Sequence, residues 1–366
     1  MAAFDTTAIT SEGVGDVNSA AADEVKVRFL GSQETQAWDE FVHGHPEGTF
    51  FHLTGWMRAI KKTFHYRSRY LYATRGARIT GVLPLFETSS WLQGKCLVST
   101  PMAVYGGICA EDEESHRLLL NESKRLAQSI GVQHFEMRER QGKPQPGFHP
   151  NTLYTTFYGE LQPDPAVHLK GLPRDTRYMI RKAQKNGMVV ENGLHHMQAF
   201  HHLFSQSMRR LGTPAFPIQL FENLADEFKT SSDILLLSSK GNPVAAVFSF
   251  FFRDTVLPYY AGASPEAPAL AANNLLYWEL MERSASKGIR WFDFGRSKKG
   301  TGAYAFKTQW NMTALPLNYQ IYLVKRETVP NFTPLNPKFE RAARVWSKLP
   351  LALTKMLGPH VVRWFP

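Results

Sequence analysis

The chain passes twice through one order of elements, and this repetition constrains its fold more than any single motif. In the first half the apolar periodicity predicts a strand over residues 25–30, helices over 35–42 and 55–62, and two antiparallel strands over 66–73 and 79–86 turned at Arg75 and Gly76. Strand material follows at 96–98 and 105–109, then a helix over 113–130 that Gly131 stops and a strand over 132–137. After a strand at 153–161, the second half repeats the pattern. Helices are expected at 173–186, 195–211 and 219–228, and strands at 234–238 and 244–252 turned at Asn242 and Pro243. A strand at 256–261, a helix at 271–286 stopped by Gly288, and strands at 289–294 and 317–324 complete the series. The fold class read from this order is α/β with mixed α+β character, two copies of one unit. A length of 366 residues exceeds the usual span of one continuous core. The Pro-rich stretch 163–173 divides the chain better than the loop expected at 141–150, which gives domains at 25–162 and 163–329 between tails at 1–24 and 330–366.

Several classes are excluded early. Residues 1–24 hold no Lys or Arg, carry Asp5, Glu12, Asp16, Asp23 and Glu24, and read as a disordered tail instead of a signal peptide. The densest apolar run, 244–252, is about half of what a bilayer crossing needs and suits a buried strand, so a cytoplasmic protein is expected. Cys96 and Cys109 are too few for a disulfide framework or a zinc site, and His195, His196, His201 and His202 lack a metal-binding arrangement. The formal charge of +10 favours polyanionic partners without choosing among nucleotides, transfer RNA, anionic lipid or a pyrophosphate-linked precursor.

Chemistry concentrates in the second half. Arg174, Arg177, Arg181 and Lys185 follow spacings of three, four and four and share one helix face, either a phosphate-binding surface or a solvated basic one. The strand at 289–294 places Trp291, Asp293 and Gly295 on one side and Phe292 and Phe294 on the other. Asp293 is then free to orient an amine or assist proton removal; its structural alternative is pairing with Arg296 or Arg290. Beyond it, Gly300 and Gly302 can bring backbone amides to a ligand, and Lys307 stands between Phe306 and Trp310. Tyr259, Tyr260 and Ser264 form a second candidate rim, equally compatible with packing. No P-loop, dinucleotide fingerprint or Gly-x-Ser-x-Gly elbow occurs.

In order, the helix 177–187, Tyr259 to Ser264, Asn273 to Glu279, Phe292 to Ser297 and Gly300 to Lys307 followed by Trp310 resemble the FemAB-like peptidyl and aminoacyl transferases, in their bacterial branch associated with exopolysaccharide and protein sorting. The resemblance spans about residues 27–324 and implies tandem acetyltransferase-like domains with strongly bent mixed sheets. It further implies transfer of an activated acyl group to an amine on a cell-envelope or exopolysaccharide-related precursor, with no metal and no tightly bound cofactor. Aminoacyl-transfer RNA is the donor in the family; acyl-CoA or an acyl carrier is the alternative, and a noncatalytic envelope-assembly scaffold is a third reading. The family's Phe-Lys pair corresponds to Phe306 and Lys307, where the lysine stabilises charge during transfer. Two departures stand out: there is no long helical hairpin, and Asn311 follows Trp310 where Gly is common, which predicts a changed loop.

The C-terminal stretch combines Lys338, Arg341, Arg344, Lys348, Lys355 and Arg363 with an apolar stripe at 345, 349, 353, 356 and 357. Such a helix either docks on the second domain or lies on an anionic membrane surface, which would place the protein at the inner face of the cytoplasmic membrane.

Overall fold

A computed structural model describes residues 24–90, 93–330 and 337–364; the tail expected at 1–24 lies outside them apart from Glu24. The first half runs β1 (Val25–Phe29), α1 (Thr35–Gly44), α2 (Thr54–Phe64), β2 (Arg67–Ser68), β3 (Leu71–Arg75), β4 (Arg78–Leu83), β5 (Phe86–Ser90), β6 (Gly94–Val98), β7 (Cys109–Ala110), α3 (Glu113–Ser129), β8 (His134–Glu139) and β9 (Phe148–Asn151). The second half runs β10 (Tyr154–Glu160), α4 (Pro165–Gly171), α5 (Arg174–Lys185), β11 (Val189–Asn192), α6 (Met197–Arg210), α7 (Ile218–Glu227), β12 (Ser232–Ser239), β13 (Asn242–Phe252) and β14 (Thr255–Ala263). It continues with α8 (Ala267–Leu270), α9 (Ala272–Ser286), β15 (Trp291–Lys298), α10 (Gly302–Lys307), β16 (Thr313–Pro316), β17 (Asn318–Leu323), α11 (Pro337–Lys348) and α12 (Leu351–Val362).

The strands form sheets in the orders β1-β3-β4-β7, β2-β5-β6-β8-β17-β9 and β11-β12-β13-β14-β15-β10-β16. Each strand expected at 66–73 and 79–86 is broken in two, and the pieces pair in different sheets. Pro84, which has no amide to donate, sits at the second break. These breaks bend the first half's sheet into two. Other expectations need correction. The β12–β13 turn is made by Lys240 and Gly241, both at positive φ, while Asn242 and Pro243 already pair in β13. The stretch 141–150 contains part of β9, and the strand expected at 105–109 shrinks to β7 plus a bridge between Gly106 and Arg138.

The domains exchange strands. β10, just before the junction at 163, pairs with β15 and β16 in the second sheet system, whereas β17 returns to pair with β8 and β9 of the first. Between the halves lies an aromatic core. Phe50 meets Phe228 and Phe250 at ring separations of 4.3 and 4.5 Å, beside the fully buried Trp56. Burial of each such side chain is worth about 1.5–3 kcal/mol. β13 explains its unbroken apolar run by facing two cores: Ala246, Phe248, Phe250 and Phe252 point to this junction, Ala245 and Val247 to the cluster under α9. Among the described residues no helix is long and apolar enough to cross a membrane.

Candidate active site

β14 and β15 run parallel but pair only through Thr255 with Trp291 and Val256 with Phe292. Past that point each carries an irregularity: Tyr259 is the extra residue opposite β13, and the register against β10 slips around Gly295, which has φ of 66°. A left-handed backbone there suits glycine. The strands diverge, and a cavity of about 340 Å³ opens between Pro258–Ala261 and Phe294–Arg296, with Tyr277 and Lys307 also on its wall. The first half has the corresponding parallel pair, β6 with β8, joined through Leu97 with Phe135 and Val98 with Glu136. Its gap is filled by the chain itself. The Gly106 amide donates to Arg138 O at 2.7 Å, and the buried Arg138 side chain donates to Thr100 O at 2.9 Å and Ala103 O at 3.3 Å. This difference leaves the open splay in the second half.

Lys307, at the end of α10, reaches back to β15 and donates from Nζ to the carbonyl oxygens of Phe294 (2.6 Å), Gly295 (3.0 Å) and Arg296 (3.2 Å). An ammonium has three protons, so this arrangement occupies all of them. Burial lowers its pKa from 10.5 to about 8, against the favourable field of Asp293, and leaves it charged at neutral pH. Phe306 and Trp310 do not touch the cavity. They pack behind Tyr277, which lines it, the ring separations being 5.4 Å for Tyr277–Phe306 and 5.8 Å for Phe306–Trp310. Asn311 takes φ of 53°, the left-handed conformation that glycine adopts and asparagine tolerates best among other residues. The loop expected to change is therefore accommodated.

Asp293 lies on the opposite face of β15 from Phe292 and Phe294, as alternation predicts, and is 2% exposed. It pairs with neither arginine proposed for it. Oδ1 accepts from the Thr156 hydroxyl and the Gly295 amide, both at 2.8 Å, and Oδ2 from the Tyr105 hydroxyl at 2.9 Å. Arg290 pairs with Glu160 instead, and Arg296 lies over the Tyr154 ring at 4.9 Å. Arg296 also lines the splay.

The remaining expectations divide. Tyr259 and Tyr260 line the cavity, but their hydroxyls donate to Met102 O, at 3.0 and 3.4 Å, and so tie the halves together. Ser264 is buried beyond the rim. Gly300 and Gly302 are exposed and line none of these cavities. Arg174, Arg181 and Lys185 point to solvent, and Arg177 donates to Lys170 O at 2.7 Å; α5 instead buries Thr176, Ile180 and Ala183. Tyr105, Thr156 and Arg140 were not singled out from the sequence, because they come from the first half and from β10 and meet Asp293 only through tertiary structure. Tyr277 was within reach, lying inside the motif 273–279.

The family model of the acetyltransferase (GNAT) domain matches residues 172–308, which contain the splay and Lys307. No curated protein sequence matches the chain. Among solved structures, the crystal structure of FemX is similar over 82% of this chain and 98% of its own, with 15% identity and a TM-score of 0.64. A conserved protein of unknown function from Bacteroides thetaiotaomicron VPI-5482 matches over 82% and 100%, with 10% identity and a TM-score of 0.55. The C-terminal domain of a putative lysylphosphatidylglycerol synthetase from Agrobacterium fabrum matches over 90% and 97%, with 11% identity and a TM-score of 0.53. At these identities the likeness is one of fold: tandem acetyltransferase-like domains of mixed α/β structure.

Proposed function

We propose that the chain is an N-acyltransferase that binds an activated acyl donor in the β14–β15 splay and passes the acyl group to an amine on a cell-envelope or exopolysaccharide-related precursor. The observation that carries this reading is the parted parallel edge: strands that stop pairing after Val256 and Phe292 open a cavity of about 340 Å³ between them. An extended donor arm can lie in such a gap as a further strand would. The match of 172–308 to an acetyltransferase domain favours an acyl-CoA donor; the likeness to FemX and to a putative lysylphosphatidylglycerol synthetase keeps an aminoacyl ester as the second candidate.

In the reaction the acceptor nitrogen, deprotonated, forms a C–N bond with the donor carbonyl carbon. The resulting oxyanion collapses as the C–S or C–O bond breaks, and the proton lost by nitrogen ends on the leaving thiol or alcohol. The charge of Lys307 favours the oxyanion through its field, and directly if one carbonyl contact is released. Asp293 holds Tyr105 and the Gly295 amide in place, a positioning role. The exposed Arg174, Arg181 and Lys185, with Arg177, offer a surface for the phosphates of the donor. The cations of the C-terminal helices, Arg341, Arg344 and Lys348 among them, would suit an anionic surface such as the inner face of the cytoplasmic membrane.

Native mass spectrometry of the freshly purified protein, followed by single-turnover assays with acyl-CoA and aminoacyl-transfer RNA donors and a pooled amine panel, tests the reading. Retention of one donor class and transfer from it are expected. Absence of transfer from every donor class would leave the scaffold reading in its place.

A further inference from the structure

On the other side of β15 from the Lys307 contacts lie two adjoining cavities of about 220 and 140 Å³ between the halves, sharing Thr49, Tyr105 and Arg140. Asp293, Tyr158 and Trp291 line the larger, Glu139 and Glu47 the smaller. Arg140 sits at their junction. Its guanidinium lies over the Tyr158 ring at 4.6 Å, and Tyr158 in turn stacks on Trp291 at 5.0 Å and 17°. No carboxylate lies within ion-pair distance of Arg140 among the described residues, and its buried Nε has no acceptor. Arg140 is half-buried and its guanidinium has a hydrogen bond with Tyr158, but a buried Nε–H that has lost water without gaining an acceptor is costly. The Tyr158 ring covers the guanidinium on one side, and Arg140 lines both cavities. The carboxylate that pulls on it most, Asp293, has its oxygens committed to Thr156, Tyr105 and the Gly295 amide. An oxyanion would meet the Nε donor that no protein group satisfies.

We propose that this interdomain cavity binds the acceptor and that Arg140 reads an oxyanion, carboxylate or phosphate, carried on the same molecule as the reactive amine. Calling the ligand the acceptor rests on the acyl-transfer reading; the oxyanion site itself does not. Neighbouring residues of the same two segments line both spaces: Tyr105 and Asp293 face this cavity, Val104 and Gly295 the splay. An amine anchored through its anion at Arg140 is thereby held on the acceptor side of the strand that carries the Lys307 contacts. Arg253, which also lines the larger cavity, donates to Val42 O and His45 O, and the acids Glu47, Glu139 and Asp254 suit a cationic or neutral amine at the other end of the ligand. A ligand with an anion alone satisfies only part of this lining.

The test uses the full chain and small probes, read by calorimetry at fixed ionic strength: β-alanine (amine and carboxylate), O-phosphoethanolamine (amine and phosphate) and propylamine (amine alone). At least one of the first two should bind, and the tighter of them identifies the anion; propylamine should bind about tenfold more weakly or worse. Arg140→Met should cost the anionic probe a similar factor, and Arg140→Lys should restore part of it, with circular dichroism checking the fold of both. Reversal of Arg174, Arg177 and Arg181 to Glu should leave probe binding unchanged, which separates this site from the exposed basic helix. In the transfer assay Arg140→Met should raise KM for the acceptor and not for the donor. Equal probe binding by wild type and a folded Arg140→Met, or no binding of either anionic probe by wild type, overturns the proposal. Arg140-dependent binding in a protein that transfers nothing would instead sink the acyl-transfer reading alone.

Discussion

Lys307 donates to the carbonyl oxygen of Gly295 at 3.0 Å, so the cation at the splay is joined to the one residue whose left-handed backbone bends β15 away from β14. Its contacts to Phe294 and Arg296 on either side make it a clasp on the irregularity as well as a charge. Loss of the side chain should therefore disturb the geometry of the donor cavity and remove its field together.

Lys307→Met is expected to lower single-turnover transfer about a hundredfold, the scale of losing one oxyanion-stabilising group, while far-ultraviolet circular dichroism stays native. With a pKa near 8, the wild-type cation is lost as pH rises through that value, so the ratio of wild-type to mutant rate should shrink above about pH 8. Taking the ratio cancels the opposite gain from deprotonating the acceptor amine. A ratio flat from pH 6 to pH 10, or equal rates, would take Lys307 out of the mechanism.

Glu139 gives a stability signature. Burial raises its pKa from 4.5 to about 7, only partly offset by the amide of Gln320, which donates to Oε2 at 2.9 Å. Between pH 4.5 and 7 the unfolded chain has released this proton and the native state still holds it, so stability falls as pH rises and the penalty is complete above pH 7. Glu139→Gln should flatten that slope and raise stability at pH 8 by up to about 3 kcal/mol, measured by urea unfolding across pH. An unchanged slope would mean that the carboxyl is already ionised at pH 5.

Gly262→Ala probes the approach of α6 to β14. A Cβ at this position would lie 2.2 Å from the Phe204 nitrogen and 2.4 Å from the Leu203 carbonyl carbon. Those are backbone atoms and do not repack, so a loss of about 3 kcal/mol is expected in denaturant titration. A loss below about 1 kcal/mol would show that the helix slides on the sheet.

Charge reversal at Arg174, Arg177 and Arg181 should weaken binding of a phosphorylated donor and reduce its salt dependence. Thermal stability should barely move, because the face they form makes no ion pair among the described residues. Equal affinity for acyl-CoA and for transfer RNA before and after reversal would remove this helix from donor binding.

The C-terminal helices call for substitution instead of truncation. Thr354, Gly358 and Val362 of α12 are buried, Gly358 lies against Ala215, and the Tyr66 hydroxyl donates to Arg363 O, so the docked stripe differs from the one expected at 345–357. Val345 and Met356 remain 63% and 62% exposed alongside Arg341, Arg344 and Lys348. Reversing these three cations should reduce sedimentation with anionic vesicles more than tenfold, at about 1 kcal/mol each. Vesicle binding insensitive to the reversal would confine α12 to its docking role.

How legible the molecule was depended on the range of the interaction. The two bends at 66–86, the helix ends at Gly131 and Gly288, and the alternation that separates Asp293 from Phe292 are local, and the periodicity anticipated the last two groups while missing the bends. Lys307 was found through its neighbours in sequence, but its three carbonyl partners depend on where Gly295 turns the chain. Arg140 carries no local signal at all. It becomes conspicuous only when folding places it beside Tyr158, from the next strand but one, and leaves no carboxylate within reach.

The exchange of β10 and β17 has a consequence for synthesis. Because β17 lies between β8 and β9, a ribosome that has released the whole first half still holds back the strand that closes it. The nascent first half presents two open β edges for the time needed to make some 170 further residues, on the order of ten seconds or more at usual rates of synthesis. A chaperone that caps those edges, and slow codons or pauses before residue 318, would then govern the yield of active protein more than the stability of the finished fold does.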